Sequence, residues 1–157
     1  MDGAVYTAQD GSFSFRYPGD FKAYSKLLKT HKQEVNYKSP TARGYEIGVA
    51  VDPVRINSLD QFGSAQEVGT KVVNVELGKD GCLEAKLLGT SSERMGDVLA
   101  YTIEYYVENT HYTSQFVAKV IIKDGRLFVC TGKCKAKDFD TYGSALREAV
   151  GSFTVTA

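Results

Sequence analysis

The sequence predicts an α+β fold, a central and mainly antiparallel sheet sandwiched between helices. Three observations predict it. Strand-like segments follow one another through hairpin turns far more often than they alternate with helices. Only two stretches combine a helix-start signal with apolar residues at helical spacing, one near residue 64 and one near residue 139. Several strands carry apolar residues on both faces, such as Val117 and Ile121 opposite Phe116 and Val120, which calls for cover on both sides of the sheet. The 157 residues fit one domain spanning the whole chain, with an ordered core expected from about residue 6 to residue 156. A domain of this size buries roughly 70% of the surface its unfolded chain exposes and needs no covalent staple.

Ser12-Phe13-Ser14-Phe15-Arg16-Tyr17 alternates polar and apolar and reads as a half-buried strand, entered through Asp10-Gly11 and left through Pro18-Gly19. Residues 20–32 are basic and mixed, and read as a loop or a single helical turn. Gln33 to Lys38 and Tyr45 to Val51 form a strand pair, with Ile47, Val49 and Val51 on one face. Ser58-Leu59-Asp60-Gln61 and Ser64-Ala65-Gln66-Glu67 both fit the capping box, in which a serine hydroxyl and a Glu or Gln side chain satisfy free N–H groups. The first predicts a single turn ended by Gly63. The second predicts a helix to about Leu77, closed by Gly78, with Val68, Val72 and Val75 on its inner stripe.

Leu83 to Leu88 is a weak strand. Val98 to Val107 is the clearest one, with Leu99, Tyr101, Ile103, Tyr105 and Val107 on one face, and Phe116, Ala118, Val120 and Ile122 form the matching face of the next. Lys123-Asp124-Gly125-Arg126 is a hairpin turn, because Asp-Gly accepts the positive φ angles of a type I′ turn. Leu127 to Thr131 returns antiparallel. Phe139, Tyr142, Leu146 and Val150 mark the core stripe of the last helix, and Ser152 to Val155 is a closing strand that joins the sheet.

Composition narrows the function classes. Lys+Arg 19 balance Asp+Glu 19, so the chain lacks the basic excess of a general nucleic-acid binder. No apolar run approaches the roughly 20 residues of a membrane span. The start of the chain shows no leader pattern, which predicts a protein used in place or a mature form. Common catalytic constellations are missing: there is no phosphate loop and no nucleophile elbow. Cys130-Thr-Gly-Lys-Cys134 has no histidine beside it, so no metal site is expected; Cys130 sits mid-strand and reads as a buried, inert thiol. Cys82, Cys130 and Cys134 are nonetheless the candidates for a thiol-redox role. Tyr106 and Tyr112 are the tyrosines free to form a binding platform, since alternation assigns Tyr101 and Tyr105 to the core.

Two basic segments stand out. Lys22, Lys26, Lys29, His31 and Lys32 occur without an intervening acid, around the paired Leu27-Leu28. Lys133, Lys135 and Lys137 form a second cluster before the last helix. In a neutral protein, one-sided basic surface suits an acidic docking partner.

Several motifs resemble those of the PsbP family. Asp10 to Pro18 resembles its opening strand, and Ile56-Asn57-Ser58-Leu59-Asp60-Gln61-Phe62-Gly63-Ser64 the entry to its first long helix. Gly125-Arg126-Leu127-Phe128-Val129-Cys130 is similar to the strand after its hairpin, and Phe139 to Val155 to its final helix and strand. The matches run in the family's order over nearly the whole chain. The resemblance implies a non-enzymatic protein of the thylakoid lumen in a chloroplast, monomeric when free and peripheral to the membrane. It would dock through its basic residues on photosystem subunits, at photosystem II or a related complex, and aid assembly, repair or stability. It implies no tightly bound cofactor. The family's extrinsic photosystem II subunit helps the manganese centre of the oxygen-evolving complex retain calcium and chloride, which is the alternative role here. Departures weigh against that alternative: the chain has no Trp, Phe21 stands where the family often has one, residues 107–115 are short, and little sequence precedes the first strand.

Overall fold

A computed structural model describes residues 3–26 and 30–156 of the chain. Leu27, Leu28 and Lys29 of the first basic segment lie outside the described residues.

Among the described residues, ten strands and two α-helices follow one another as β1 (Gly3–Thr7), β2 (Phe13–Pro18), β3 (Lys22–Tyr24), β4 (Gln33–Lys38), β5 (Glu46–Pro53), α1 (Ala65–Leu77), β6 (Cys82–Met95), β7 (Val98–Asn109), β8 (Thr113–Lys123), β9 (Arg126–Lys135), α2 (Phe139–Gly151) and β10 (Thr154–Val155). A seven-stranded sheet has the order β3-β4-β5-β9-β8-β7-β6, and a three-stranded one the order β1-β2-β10. Every pairing is antiparallel.

Local chemistry explains most element boundaries. Asp124 at φ 52° and Gly125 at φ 74° make the tight β8–β9 turn that fixes register from Lys123↔Arg126 to Ser114↔Lys135. Ser64 accepts from the Glu67 N–H while Glu67 accepts from the Ser64 N–H, which closes the capping box of α1. The Ser58 box starts a single 3₁₀ turn, Leu59–Gln61, as its sequence requires. Gly78 follows α1 with φ −81°, a right-handed conformation open to any residue, so the helix end does not depend on glycine there.

The two faces of the large sheet are covered differently. On one face, Ile47, Val49 and Val51 of β5, Phe128 and Cys130 of β9 and Ile121 of β8 pack against Leu146, Ala149 and Val150 of α2. The small sheet shares this cover, through Phe13 and Phe15 of β2 with Phe153. On the other face, Tyr101, Ile103, Tyr105 and Val107 of β7 and Ala118, Val120 and Ile122 of β8 pack with Val68 and Val73 of α1 and with Leu59. Helix α1 lies over β6 and β7. Among the described residues, the β4-β5-β9 half of that face keeps an open trough.

Several elements differ from the sequence reading. The sequence pattern does not predict β1, and Lys22–Tyr24 is a strand in place of the loop or helical turn that it predicts. Strand β6 runs to Met95, well beyond Leu88, because an edge strand with one neighbour tolerates the polar stretch 89–94. Strand β9 continues past Thr131 to Lys135. The closing strand β10 pairs with β2, not with the large sheet. On α1 the inner residues are Val68, Gly69 and Val73, whereas Val75 is 64% exposed.

Candidate functional site

Register builds the trough. Thr131 pairs with Gly48 and Gly48 with Asn36, so these three lie in one row on the α1 side of the sheet. The neighbouring row runs Val129, Ala50, Glu34. Small side chains at Gly48 and Ala50 keep the floor low. A Cβ at Gly48 would come 2.9 Å from the Val35 carbonyl oxygen, so the close approach of β4 requires glycine there. The resulting cavity has a volume of about 340 Å³; Phe116, Leu127 and Val129 supply apolar wall, and Lys26, His31, Asp52 and Lys133 the charged edge.

This trough brings members of both basic segments together, and it sets two members of the first opposite acids. Lys26 Nζ lies 3.7 Å from Glu34 Oε1. His31 Nδ1 lies 2.5 Å from Asp52 Oδ2, and the Lys32 backbone N–H donates to Asp52 Oδ1 at 3.0 Å. Partial burial raises the Asp52 carboxyl, but the Lys32 N–H and the His31 ring outweigh it and hold the group below its ordinary value. Lys22 is exposed on β3, paired in register with Lys38. Lys32 is exposed as well.

The second basic cluster has different surroundings. Lys133 and Lys135 project from β9 on the trough side, where they meet the 39–45 loop and the β7–β8 turn. A cavity of about 590 Å³ is lined there by Arg43, Gly44, Glu46, His111, Tyr112, Lys133 and Lys135. It adjoins a second hollow that adds Thr113 and Lys137. The turn is shaped by Asn109, whose side-chain oxygen accepts from the His111 and Tyr112 N–H groups at 2.8 and 2.9 Å. Glu46 is the one acid lining either hollow among the described residues. It lies 3.9 Å from Lys133 Nζ and accepts from the Tyr24 hydroxyl at 2.6 Å. Desolvation of the Tyr24 ring, then its bond to Glu46, push its hydroxyl pKa well up, which keeps it a donor. Arg43, His111, Lys135 and Lys137 therefore form a basic rim around Tyr112, which is 44% exposed. The sequence pattern singles out Tyr112 as a platform residue, but gives no sign that Arg43 and His111 join this cluster. Tyr106, the other platform residue, is half-buried, with Lys86 Nζ 5.9 Å from its ring.

The three cysteines are free thiols in separate places. Cys130 and Cys134 lie buried on the α2 side of β9, opposite the rim. Four residues along a strand separate their Cα atoms by about 13 Å, beyond the span of a disulfide. Burial pushes the Cys130 thiol up, and that of Cys134 to about 11, so neither is a ready thiolate at neutral pH. Cys82 is half-buried at the start of β6.

Fold and site define an antiparallel α+β domain whose charged side chains gather at a surface trough and its basic rim, not in an enclosed pocket. The chain belongs to the PsbP family, whose model matches residues 2–155. It is 32% identical over 105 residues to PsbP domain-containing protein 2, chloroplastic, of Arabidopsis thaliana, a match that covers 67% of this chain and 44% of that protein. The chain thus spans less than half the length of that relative. Its fold matches the solution structure of cyanobacterial PsbP (CyanoP) from Synechocystis sp. PCC 6803 with a TM-score of 0.82 at 20% identity, over 98% of this chain and 92% of the other. The Saccharomyces cerevisiae Ran-binding protein Mog1p shares the fold more distantly, with a TM-score of 0.63 at 15% identity over 99% and 96% of the two chains.

Proposed function

We propose that this PsbP-like protein is a non-catalytic factor of the thylakoid lumen that docks on photosystem II or a related thylakoid complex and aids its assembly, repair or stability. Family membership and the chloroplastic relative support the setting. One observation carries the docking surface: Arg43, His111, Lys135 and Lys137 converge with Lys133 around Tyr112, against Glu46 as the one acid lining these hollows among the described residues. Such a rim attracts an acidic surface over about one Debye length, ~10 Å at 0.1 M salt. Tyr112 adds a flat amphipathic contact at its centre. The first basic segment contributes less than its sequence suggests, because Lys26 and His31 already face Glu34 and Asp52. In this reading the sheet, sandwiched between its helices, is the rigid frame that holds the rim.

Co-migration of the tagged native protein with solubilised thylakoid complexes on a native gel tests the proposal. Co-migration with a photosystem II form, mature or incomplete, supports it. A protein that runs free of every photosynthetic complex, in membranes where it is abundant, rejects it.

A further inference from the structure

We propose that the β4-β5-β9 trough is a receptor for an arginine side chain presented by a partner polypeptide. Glu34 is the anchor of the proposed site. Its side chain is only 8% exposed and lines the trough. Its Oε1 faces Lys26 at 3.7 Å, while its Oε2 is buried without a hydrogen-bond partner among the described residues. A buried carboxylate oxygen left unpaired is costly, and a donor entering the trough would relieve that cost. The other carboxylates lining the cavity have partners: Asp52 bonds His31 and the Lys32 N–H, Glu46 bonds Tyr24, and Glu76 lies 2.9 Å from Lys79.

Charge selects a cation. Four carboxylates, from Glu34, Glu46, Asp52 and Glu76, line the cavity against the ammonium groups of Lys26 and Lys133 and the His31 ring. A metal ion does not fit, since no group of three His, Cys, Asp or Glu side chains among the described residues has the spacing to hold one. Shape and wall chemistry favour arginine over lysine. Leu127, Val129 and Ala50 offer apolar surface to an aliphatic stem. A planar guanidinium offers a fork of donors that can pair both oxygens of one carboxylate, which a single ammonium matches less well. The trough lies beside the rim but recognises the opposite charge. A partner that meets both would present an acidic patch next to an arginine, which fixes its register.

The test is an amide-resolved NMR titration of the intact protein with the capped tripeptide Gly-Arg-Gly, beside Gly-Lys-Gly and Gly-Glu-Gly. Saturable shifts at Glu34, Gly48, Ala50, Val129 and Thr131 are expected with the arginine peptide, weaker ones with lysine and none with glutamate. Glu34→Gln, which keeps shape, is expected to weaken arginine binding at least tenfold. Lys26→Ala removes the resident cation and is expected to tighten it at least twofold, a gain that a merely structural role for Glu34 would not produce. Ala50→Leu, which fills the trough and leaves Glu34 in place, is expected to abolish the shifts. Equal binding of the arginine and glutamate peptides, or unchanged affinity in Glu34→Gln, overturns the proposal. This outcome is independent of whether the rim docks on a photosystem.

Discussion

The two faces of strand β9 differ more than any two elements of the molecule. On the α2 side, Phe128, Cys130, Gly132 and Cys134 are all buried. On the other side, Leu127, Val129, Thr131, Lys133 and Lys135 are only half-buried. Both faces share one backbone and one set of hydrogen bonds, so the difference lies in what covers them. Helix α2 and the small sheet press on the first face. Helix α1 stops over β6 and β7 and leaves the second one to the trough. One face therefore carries stability, and the other is free to carry recognition.

Substitutions along this strand sharpen the contrast. Phe128 is fully buried and packs edge-on to Phe13, so Phe128→Ala should cost about 3–5 kcal/mol. Thr131→Ala, three residues away in the open trough, should stay within about 0.5 kcal/mol. Urea midpoints at unchanged m-value measure both. Equal losses would mean that the trough is as much core as the α2 face.

Gly132 gives an intermediate effect. A Cβ there would lie 2.8 Å from Leu146 Cδ2 and 3.0 Å from Val150 Cγ2, so α2 sits directly on the backbone. Gly132→Ala should cost about 1–3 kcal/mol by overpacking. Leu146→Ala in the same chain should recover part of that loss, a coupling read by a double-mutant cycle.

Opposite-face alternation was legible in the sequence, and so were the Asp124-Gly125 turn and both capping boxes, because each is set by residues within a few positions. Strand β1 was not: Ala4-Val5-Tyr6 shows no alternation, and its place follows from pairing with β2. The closing strand was legible, but its partner was not, since nothing local chooses β2 over the large sheet. Part of the rim was legible as Lys133, Lys135 and Lys137, but Arg43 and His111 were not, because they come from a distant loop and turn that only folding brings to β9. The pairing of Lys26 and His31 was hidden in the same way, with Glu34 and Asp52 brought opposite them by folding. The signal for the open trough was present: Glu34, Asn36, Gly48, Ala50 and Thr131 make one face polar and small where a covered face would be bulky.

A smaller effect concerns pH. Asp52 titrates below its ordinary value when folded, so its bonds to His31 and Lys32 stabilise fully above the unfolded value of about 4. That contribution is lost as pH falls through the lower folded value. Asp52→Asn should therefore be less stable than the parent above pH ~5, and the gap should close below pH ~4. A gap that stays constant down through this range would show that the carboxylate charge contributes nothing.

The central claim is that the uncovered side of the sheet docks through its basic rim. Its most direct test is capture of photosystem complexes from solubilised thylakoids by the immobilised protein and by the doubly reversed variant Lys135→Glu/Lys137→Glu, at low and high salt. Urea midpoints of the two check that the variant stays folded, since Lys137 is exposed but Lys135 half-buried. The parent should retain a photosystem complex at low salt and release it at high salt, and the variant should retain at least tenfold less. Salt-insensitive capture, or equal capture by the variant, would contradict the account.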